Sequence, residues 1–270
     1  MRTRFSKPIG LWSLVIIALL AFATAPAFAA VSDYTFATSN QTYTPLASGT
    51  LLIPGTNQST AGTFNDAADG SLQPIGFDFC FDGVSHDQFT AYTGGVFTLG
   101  ANTLPSSGTP NSRYANDLAT AAAYPVIAPW WDHQHTYDGG GSGSGCNFNP
   151  PIGVRSFLSG VVPTRTLTLE WNTQVVDTNG SFWWAGCGLT MNRYQAVIHE
   201  GTDDIEFRYG SLWASSGQPT SSTMGLAAGA ANFLSATPTG GTATVSSVTS
   251  NNPIAAHGAQ IPTGTVYTFQ

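Results

Sequence analysis

Lysine is absent from this chain beyond residue 7, so permanent positive charge is scarce. Only five cations follow the first 29 residues, all of them arginines: Arg113, Arg155, Arg165, Arg193 and Arg208. The same part of the chain has 15 acidic side chains, so residues 30–270 have a net charge of −10. Such a surface repels phosphate backbones and anionic lipids, which argues against nucleic acids and anionic membranes as partners. Divalent cations and neutral partners such as glycans are compatible with it.

Charged residues of either sign are few, at 9% of the chain, but the composition is not that of a disordered protein. Disordered segments are poor in aromatic side chains. This chain has 16 Phe, 9 Tyr and 7 Trp, together with 30 Gly. That composition is typical of a secreted β-protein, and the length is sufficient for one large β-domain or two small ones.

A long apolar run occurs only near the start, at Leu11–Ala23, and it is too short to span a bilayer. It follows a positively charged start and precedes Ala27-Phe28-Ala29, the small-x-small pattern that signal peptidase reads. We therefore predict a Sec-type signal peptide over residues 1–29, cleaved after Ala29. The mature protein is expected to be secreted or held at the cell surface, with residues 30–270 forming a single domain without a membrane span.

Cysteine is limited to three residues, an odd number for a protein expected in an oxidising compartment. Cys146 and Cys187 each lie in a glycine-rich stretch, and two flexible segments can approach each other most easily. Cys80 lies on a predicted strand, on the face opposite a row of phenylalanines. We predict a Cys146–Cys187 disulfide with Cys80 unpaired; the alternative is a chain without a disulfide.

Short segments of alternating polarity recur along the chain between turns rich in Gly, Asn and Pro. The alternation is clearest in residues 72–81, and hairpins are predicted within residues 88–99, 154–176 and 194–209. The one predicted helix covers residues 116–123, which start with capping residues and precede a proline. Together these features predict an all-β fold, an antiparallel β-sandwich.

Several of these segments, in their order along the chain, are similar to a known extracellular module. They are Pro74-Ile75-Gly76-Phe77-Asp78-Phe79, Gly95-Val96-Phe97-Thr98-Leu99-Gly100, Ile127-Ala128-Pro129-Trp130-Trp131-Asp132, Leu169-Glu170-Trp171, Tyr194–Ile198 and Ile205–Gly210. Over roughly residues 72–235 the chain resembles the nidogen-like β-module and related modules of bacterial secreted and surface proteins. The resemblance implies adhesion or matrix association and brings no catalytic residues. The chain departs from it at His133-Gln134-His135, where such modules more often continue with acidic residues.

The densest group of chemically capable side chains lies in Val126–His135. In an extended segment His133 and His135 share a face, so their imidazoles can chelate one metal ion. Asp132 joins them only if the strand ends there, and a further ligand has to come from elsewhere, with Asp138 and His199 as candidates. Asp132, His133 and His135 are therefore the predicted ligands of a divalent metal, Zn²⁺, Cu²⁺ or Ca²⁺. Loop histidines that bind no metal are the alternative.

Two tryptophan pairs, Trp130-Trp131 and Trp183-Trp184, are candidate ligand contacts. Adjacent strand residues face opposite ways, so each pair is expected to place one indole in the core and the other nearer the surface. An exposed indole with Asn and Asp nearby can stack on a sugar ring. Packing in the core is the alternative for each ring.

Motifs for enzymatic chemistry are missing, since the sequence has neither a G-x-S-x-G elbow nor an H-E-x-x-H zinc motif. Glu170, Glu200 and Glu206 are carboxylates that could act in pairs on a glycosidic bond. However, Glu170 and Glu206 alternate with core residues, as outward-facing strand residues do. We expect a non-enzymatic protein for adhesion or extracellular-matrix interaction, with a glycan or protein ligand; the alternative is a secreted polysaccharide hydrolase that depends on a metal or on carboxylates.

The register of the hairpin within residues 194–209 can be predicted from its turn. With four loop residues at Gly201–Asp204, antiparallel pairing sets His199 opposite Glu206 and Ile198 opposite Phe207. This register places Ile198 and Phe207 on the core face, with His199 beside Glu206 on the other face. It makes His199 a structural residue and removes it from the candidate metal ligands.

Overall fold

The computed structural model describes residues 30–55, 69–105, 116–119, 124–132, 134–136, 152–175, 191–212, 222–249 and 261–270. These residues form one 3₁₀ turn, η1 (Val31–Asp33), and fifteen β-strands. The strands are β1 (Phe36–Asn40), β2 (Thr50–Pro54), β3 (Gln73–Phe81), β4 (Val84–Tyr92), β5 (Val96–Leu99), β6 (Val126–Trp131), β7 (Gln134–His135), β8 (Gly153–Ser159), β9 (Thr166–Val175), β10 (Met191–His199), β11 (Ile205–Tyr209), β12 (Thr223–Gly229), β13 (Asn232–Pro238), β14 (Ala243–Ser246) and β15 (Thr265–Phe269).

The strands form two antiparallel sheets packed as a sandwich, which confirms the predicted fold class. The first sheet has the order β1-β15-β11-β10-β9-β8-β2, with β7 paired to β9. The second has the order β14-β13-β12-β6-β5-β4-β3. Strands from the two ends of the described chain are neighbours, because β1 pairs with β15. No helix among the described residues is long and apolar enough to cross a membrane.

The main core lies between the sheets and is rich in aromatic rings. The Trp171 ring stacks on Tyr194 with 5.5 Å between centroids and an interplanar angle of 8°. Trp130 packs beside them, 6.4 Å from Tyr194 and 6.3 Å from Tyr209. Burying each such ring contributes about 1.5–3 kcal/mol, so this cluster is a large part of what holds the sheets together.

A second apolar cluster covers the outer face of the second sheet. It contains Tyr92, Val96, Leu104, Leu118, Val126, Ala128, Trp131, Ala227 and Phe233. Strand β6 is therefore buried on both faces, which explains why its sequence is a continuous apolar run instead of an alternating one.

The predicted helix over residues 116–123 is wrong for residues 116–119, which contain a turn, and residues 120–123 lie outside the described part of the chain. Asn116 has a left-handed φ of 45°. The backbone N–H of Ala119 donates to Asp117 Oδ1 at 3.0 Å. Such a side-chain bond competes with helical hydrogen bonding and favours a turn. Leu118 anchors this turn in the second apolar cluster.

All three predicted hairpins form, as β4–β5, β8–β9 and β10–β11, but the register of the last one differs from the prediction. Ile198 pairs with Ile205, and the N–H of His199 donates to the carbonyl of Asp204, so the four-residue loop covers residues 200–203, one position earlier than expected. The N–H of Glu200, within this loop, donates to the carbonyl of Arg165 in the neighbouring hairpin. A shift of two residues leaves every side chain on its predicted face. The predicted contact of His199 with Glu206 is also present, with 3.4 Å between Nε2 and Oε1.

Cys80 is exposed and unpaired, on the face of β3 opposite the buried Phe79 and Phe81, as expected. Cys146 and Cys187 lie outside the described residues, and their disulfide stays a prediction.

Candidate functional site

The two tryptophans of β6 face opposite sides of the second sheet, as the alternation rule predicts. Trp130 lies in the main core and Trp131 in the outer cluster. Both are fully buried, so the expectation that one indole lies near the surface is wrong for this pair. Trp183 and Trp184 lie outside the described residues, and sugar stacking through them stays a prediction.

The chain leaves the second sheet at Asp132 and enters the first. Strand β6 ends at Trp131, and β7 pairs with the end of β9 in the other sheet. Asp132 is 5% exposed, and its N–H donates to the carbonyl of Gly94 at 2.9 Å. The strand thus ends where the metal hypothesis requires it to end. His133 and the side chain of His135 lie outside what the structure describes, so their metal binding stays a prediction.

A metal site elsewhere would need several ligating side chains close together in the described ranges. Within them, no set of three or more His, Cys, Asp or Glu side chains could hold a metal ion. His199, once a candidate ligand, contacts Glu206 on the outer face of the first sheet.

The buried side chain of Gln134 connects the two sheets. Gln134 Nε2 donates to the carbonyl of Trp130 at 2.6 Å, and Gln134 Oε1 accepts hydrogen bonds from Tyr194 at 2.8 Å and Thr173 at 2.5 Å. Burial raises the pKa of Tyr194 well above its usual range, so its hydroxyl stays a donor. The sequence holds no signal for this connection, because it depends on side chains from three separated strands.

These hydrogen bonds can form only because residue 95 is a glycine. It has a φ of +76°, and a Cβ added to it would lie 2.0 Å from the carbonyl oxygen of Trp130 and 2.4 Å from the hydroxyl of Tyr194. Both the backbone conformation and the close approach require glycine. The packing of Trp130, Gln134 and Tyr194 therefore requires glycine at position 95.

Glu170 faces outward from β9, as predicted, but it is not accessible to solvent. Its Oε2 accepts hydrogen bonds from Tyr43 Oη at 2.9 Å, the N–H of Leu46 at 3.0 Å and Gln195 Nε2 at 2.7 Å. The segment of residues 41–46 crosses above it and leaves Glu170 only 1% exposed. Burial and the neighbouring carboxylate of Glu170 raise the pKa of Tyr43 well above its usual range.

The other two candidate carboxylates are paired with arginines. Glu200 binds Arg165 through both carboxylate oxygens, and these hydrogen bonds hold the pKa of Glu200 below its usual range. Glu206 Oε2 lies 2.7 Å from Arg208 Nε, while its other oxygen contacts His199. The close approach of His199, followed by the charge of Arg208, lowers the pKa of Glu206.

A shallow cleft of about 160 Å³ opens on the outer face of the first sheet, beside the segment that covers Glu170. We call it the β15 cleft. Its lining is formed by Gln41, Thr42, Tyr43, Thr44, Gln195, Arg208, Tyr209, Gly264, Thr265 and Val266. Hydroxyl and amide groups dominate, with one guanidinium. The sequence did not indicate this cleft, because it forms where residues 41–44, which belong to no strand, pass beside β15.

Comparison with known proteins places the chain in a family. No curated protein and no solved structure matches it. A family model described as NIDO related matches residues 33–270, nearly the whole described fold. This finding confirms the nidogen-like resemblance and indicates an extracellular β-module. The chain belongs to the NIDO-related (nidogen-related) family.

Proposed function

We propose that this protein is a non-enzymatic extracellular binding module, secreted or held at the cell surface, that acts in adhesion or matrix interaction. Its ligand is a glycan or another extracellular protein. Family membership supports the extracellular setting. The net charge of −10 over residues 30–270 supports a neutral ligand over a polyanion.

The arrangement of the carboxylates carries the non-enzymatic part of the proposal. Glycoside cleavage needs two carboxyl groups that face each other across the bond, roughly 5–10 Å apart, and that reach the substrate. Among the described carboxylates, Glu170 is buried beneath Tyr43, whereas Glu200 and Glu206 are each held by an arginine. Each has a structural partner that accounts for its position, so none of the three is available as an acid or a nucleophile.

The predicted cleavage after Ala29 leaves the contacts of Val31 in the mature protein. Val31 is fully buried, and its N–H donates to Asn232 Oδ1 at 2.9 Å. We expect cleavage to make Ala30 the new N-terminus, one residue before this buried contact. N-terminal sequencing of protein recovered from the culture medium or the cell surface should begin at Ala30. A protein that retains residues 1–29 would contradict this.

Binding and turnover can be separated in one set of assays. The mature protein is applied to a glycan array and to a panel of extracellular-matrix proteins, and each bound glycan is then tested for new reducing ends. We expect saturable binding to at least one ligand and no new reducing ends. Release of reducing ends by the wild type, lost in Glu170→Gln or Glu206→Gln, would establish the hydrolase alternative. Absence of binding to both panels would contradict the proposed function.

A further inference from the structure

We propose that the open edge of the first sheet is a self-association surface, on which β1 of one copy pairs antiparallel with β1 of a second copy. The inference goes beyond the proposed function, because it concerns how many modules act together and not what each one binds. Strand β1 is the last strand of its sheet and pairs only with β15. Its residues 37–40 are all exposed.

Every second residue of β1 directs its backbone groups towards β15. Thr35 and Gln270 exchange both of their backbone hydrogen bonds, at 2.8 and 3.0 Å. The N–H of Gln41 donates to the carbonyl of Gly264 at 2.8 Å. In an antiparallel ladder, residues that bond to the neighbouring strand alternate with residues that do not. The odd-numbered residues from 35 to 41 therefore direct their N–H and C=O groups towards β15.

The backbone groups of Phe36, Thr38 and Asn40 consequently point to the open edge. No hydrogen bond joins these groups to any residue that the structure describes. Their pattern is symmetrical about Thr38. A second copy related by a two-fold axis through this position sets Thr38 opposite Thr38 and Phe36 opposite Asn40. In that register every one of these N–H groups meets a C=O group of the other copy.

The distribution of charge favours this side of the sandwich for contact between two like copies. Each copy has a net charge of −10 after its predicted signal peptide, so two copies repel each other wherever acidic side chains lie. No Asp, Glu, Lys or Arg occurs between Asp33 and Asp66 or after Arg208. Strands β1 and β15 and the edge strand β14 of the second sheet therefore carry no charge. The hydroxyl of Tyr267 in β15 donates to the carbonyl of Thr242, next to β14, so the two edges flank the same side.

The other sheet edges are less open to a new strand. On β3, Asp203 Oδ1 accepts a hydrogen bond from the N–H of Cys80 at 2.9 Å, and Arg165 donates to the carbonyl of Gly76 at 2.5 Å. Strand β2 contains a bulge and ends in Pro54, two features that natural sheets use against edge pairing. Strand β14 has only four residues. Strand β1 has no proline, bulge or charged side chain, so it is the edge to which a strand can be added.

A dimer of this kind makes the binding module bivalent. The contact is one strand wide, so we expect a weak and reversible association, at the low end of interface sizes. Two modules held together bind a surface with many ligands more tightly than one module does, without any new ligand contact. This consequence alone rests on the proposed function; the pairing of β1 does not.

The first test places a cysteine at the two-fold axis, in the Cys80→Ser background. Thr38→Cys brings the two thiols of a dimer together, because opposed residues of this kind have Cα atoms about 5.5 Å apart, within the range of a disulfide. Asn40→Cys is the matched control, since it is exposed on the same face of β1. Its two copies are four residues out of register (40 − 36), or more than about 13 Å apart. Mild oxidation should give a covalent dimer with Thr38→Cys and at least about 10-fold less with Asn40→Cys, as measured by non-reducing electrophoresis.

The second test is sedimentation velocity of the mature protein between micromolar and millimolar concentrations. We expect a reversible equilibrium between monomer and dimer. Thr38→Pro removes an N–H that points to the second copy and keeps the ladder with β15, so it should weaken the dimer at least roughly 10-fold with little change in unfolding temperature. Thr38→Val keeps this N–H and should associate like the wild type.

The outcomes separate self-association from ligand binding. A wild type that stays monomeric at millimolar concentration overturns the inference and leaves the proposed function standing. Equal covalent dimer from Thr38→Cys and Asn40→Cys, or a folded Thr38→Pro that dimerises like the wild type, also overturns it. If the wild type is monomeric and Thr38→Pro loses a matrix protein that the wild type binds, the edge accepts a strand of that ligand and not of a second copy. A dimer that binds neither the glycan array nor the matrix panel supports the inference and contradicts the proposed function.

Discussion

Replacing Gly95 by alanine should destabilise the protein far more than the same change at a glycine of equal backbone conformation. Gly95 and Gly240 have φ angles of +76° and +75°. An alanine in this region costs about 1–2 kcal/mol at either position. At Gly240 the added Cβ has no atom within 4 Å, whereas at Gly95 it meets the carbonyl of Trp130, the hydroxyl of Tyr194 and the amide of Gln134 at 2.0, 2.4 and 2.6 Å. The comparison therefore isolates the contribution of the buried connection.

The extra cost follows from the hydrogen bonds that have to move. Separating Gln134 from the Trp130 carbonyl and from Tyr194 leaves two buried pairs incomplete, at about 1–3 kcal/mol each. Gly95→Ala should thus lose about 2–6 kcal/mol more than Gly240→Ala, out of a total that is about 5–15 kcal/mol for a typical domain.

Equilibrium urea unfolding, followed by tryptophan fluorescence, measures both variants against the wild type. A second measurement uses the Tyr194→Phe background, in which one of the three close contacts of the new Cβ is gone. Gly95→Ala should cost less there than in the wild type, because the two sites are in direct contact. Free energies of unfolding within about 0.5 kcal/mol for Gly95→Ala and Gly240→Ala would refute the reasoning.

Three further predictions concern pH, metal and thiols. The folded-state pKa of Glu206 lies below its ordinary 4.5, so its stabilisation is present above that value and is lost as pH falls through the folded pKa. Between roughly pH 5 and 3, thermal unfolding of the wild type should therefore lose stability more steeply than that of Glu206→Gln, and parallel curves would contradict the pairing. Mutation of His133 and His135 together to Ala should abolish stoichiometric Zn²⁺ or Cu²⁺ binding with little change in unfolding temperature; a wild type with no metal and no affinity in calorimetry ends the metal hypothesis. Peptide mapping without reduction should recover Cys146 linked to Cys187, and any other intramolecular pairing would show that prediction to be wrong.

Local alternation in the sequence predicts strands and the faces of their side chains. In β3, buried and exposed residues alternate as predicted, since each successive strand residue points to the opposite face. In the β10–β11 hairpin the faces were also correct although the register was shifted by two residues. Alternation is insensitive to a shift of two residues, so the pattern alone predicts the faces but does not fix the register.

The local sequence pattern does not predict which residues pack over each face of a strand. Alternation places one of the two indoles of β6 on the outer face of the sheet, but there Tyr92, Leu118 and Phe233 pack around Trp131 from distant parts of the chain. Glu170 likewise alternates as an outward residue, yet Tyr43, 127 positions away, closes over it. Such coverings depend on tertiary contacts between segments with no sequence relation to each other. The β15 cleft arises in the same way, where the segment 41–44 passes beside β15.

Binding without cleavage is tested most directly by recovering the ligand after prolonged contact with the protein. The glycan that binds best on the array is incubated with a stoichiometric amount of the mature protein for a day, and both the complex and the released glycan are then analysed by mass spectrometry. We predict a stoichiometric complex and a glycan of unchanged mass. A glycan that is shortened by the wild type and left intact by Glu170→Gln would contradict a non-enzymatic module and show that the carboxylate beneath Tyr43 acts on the ligand.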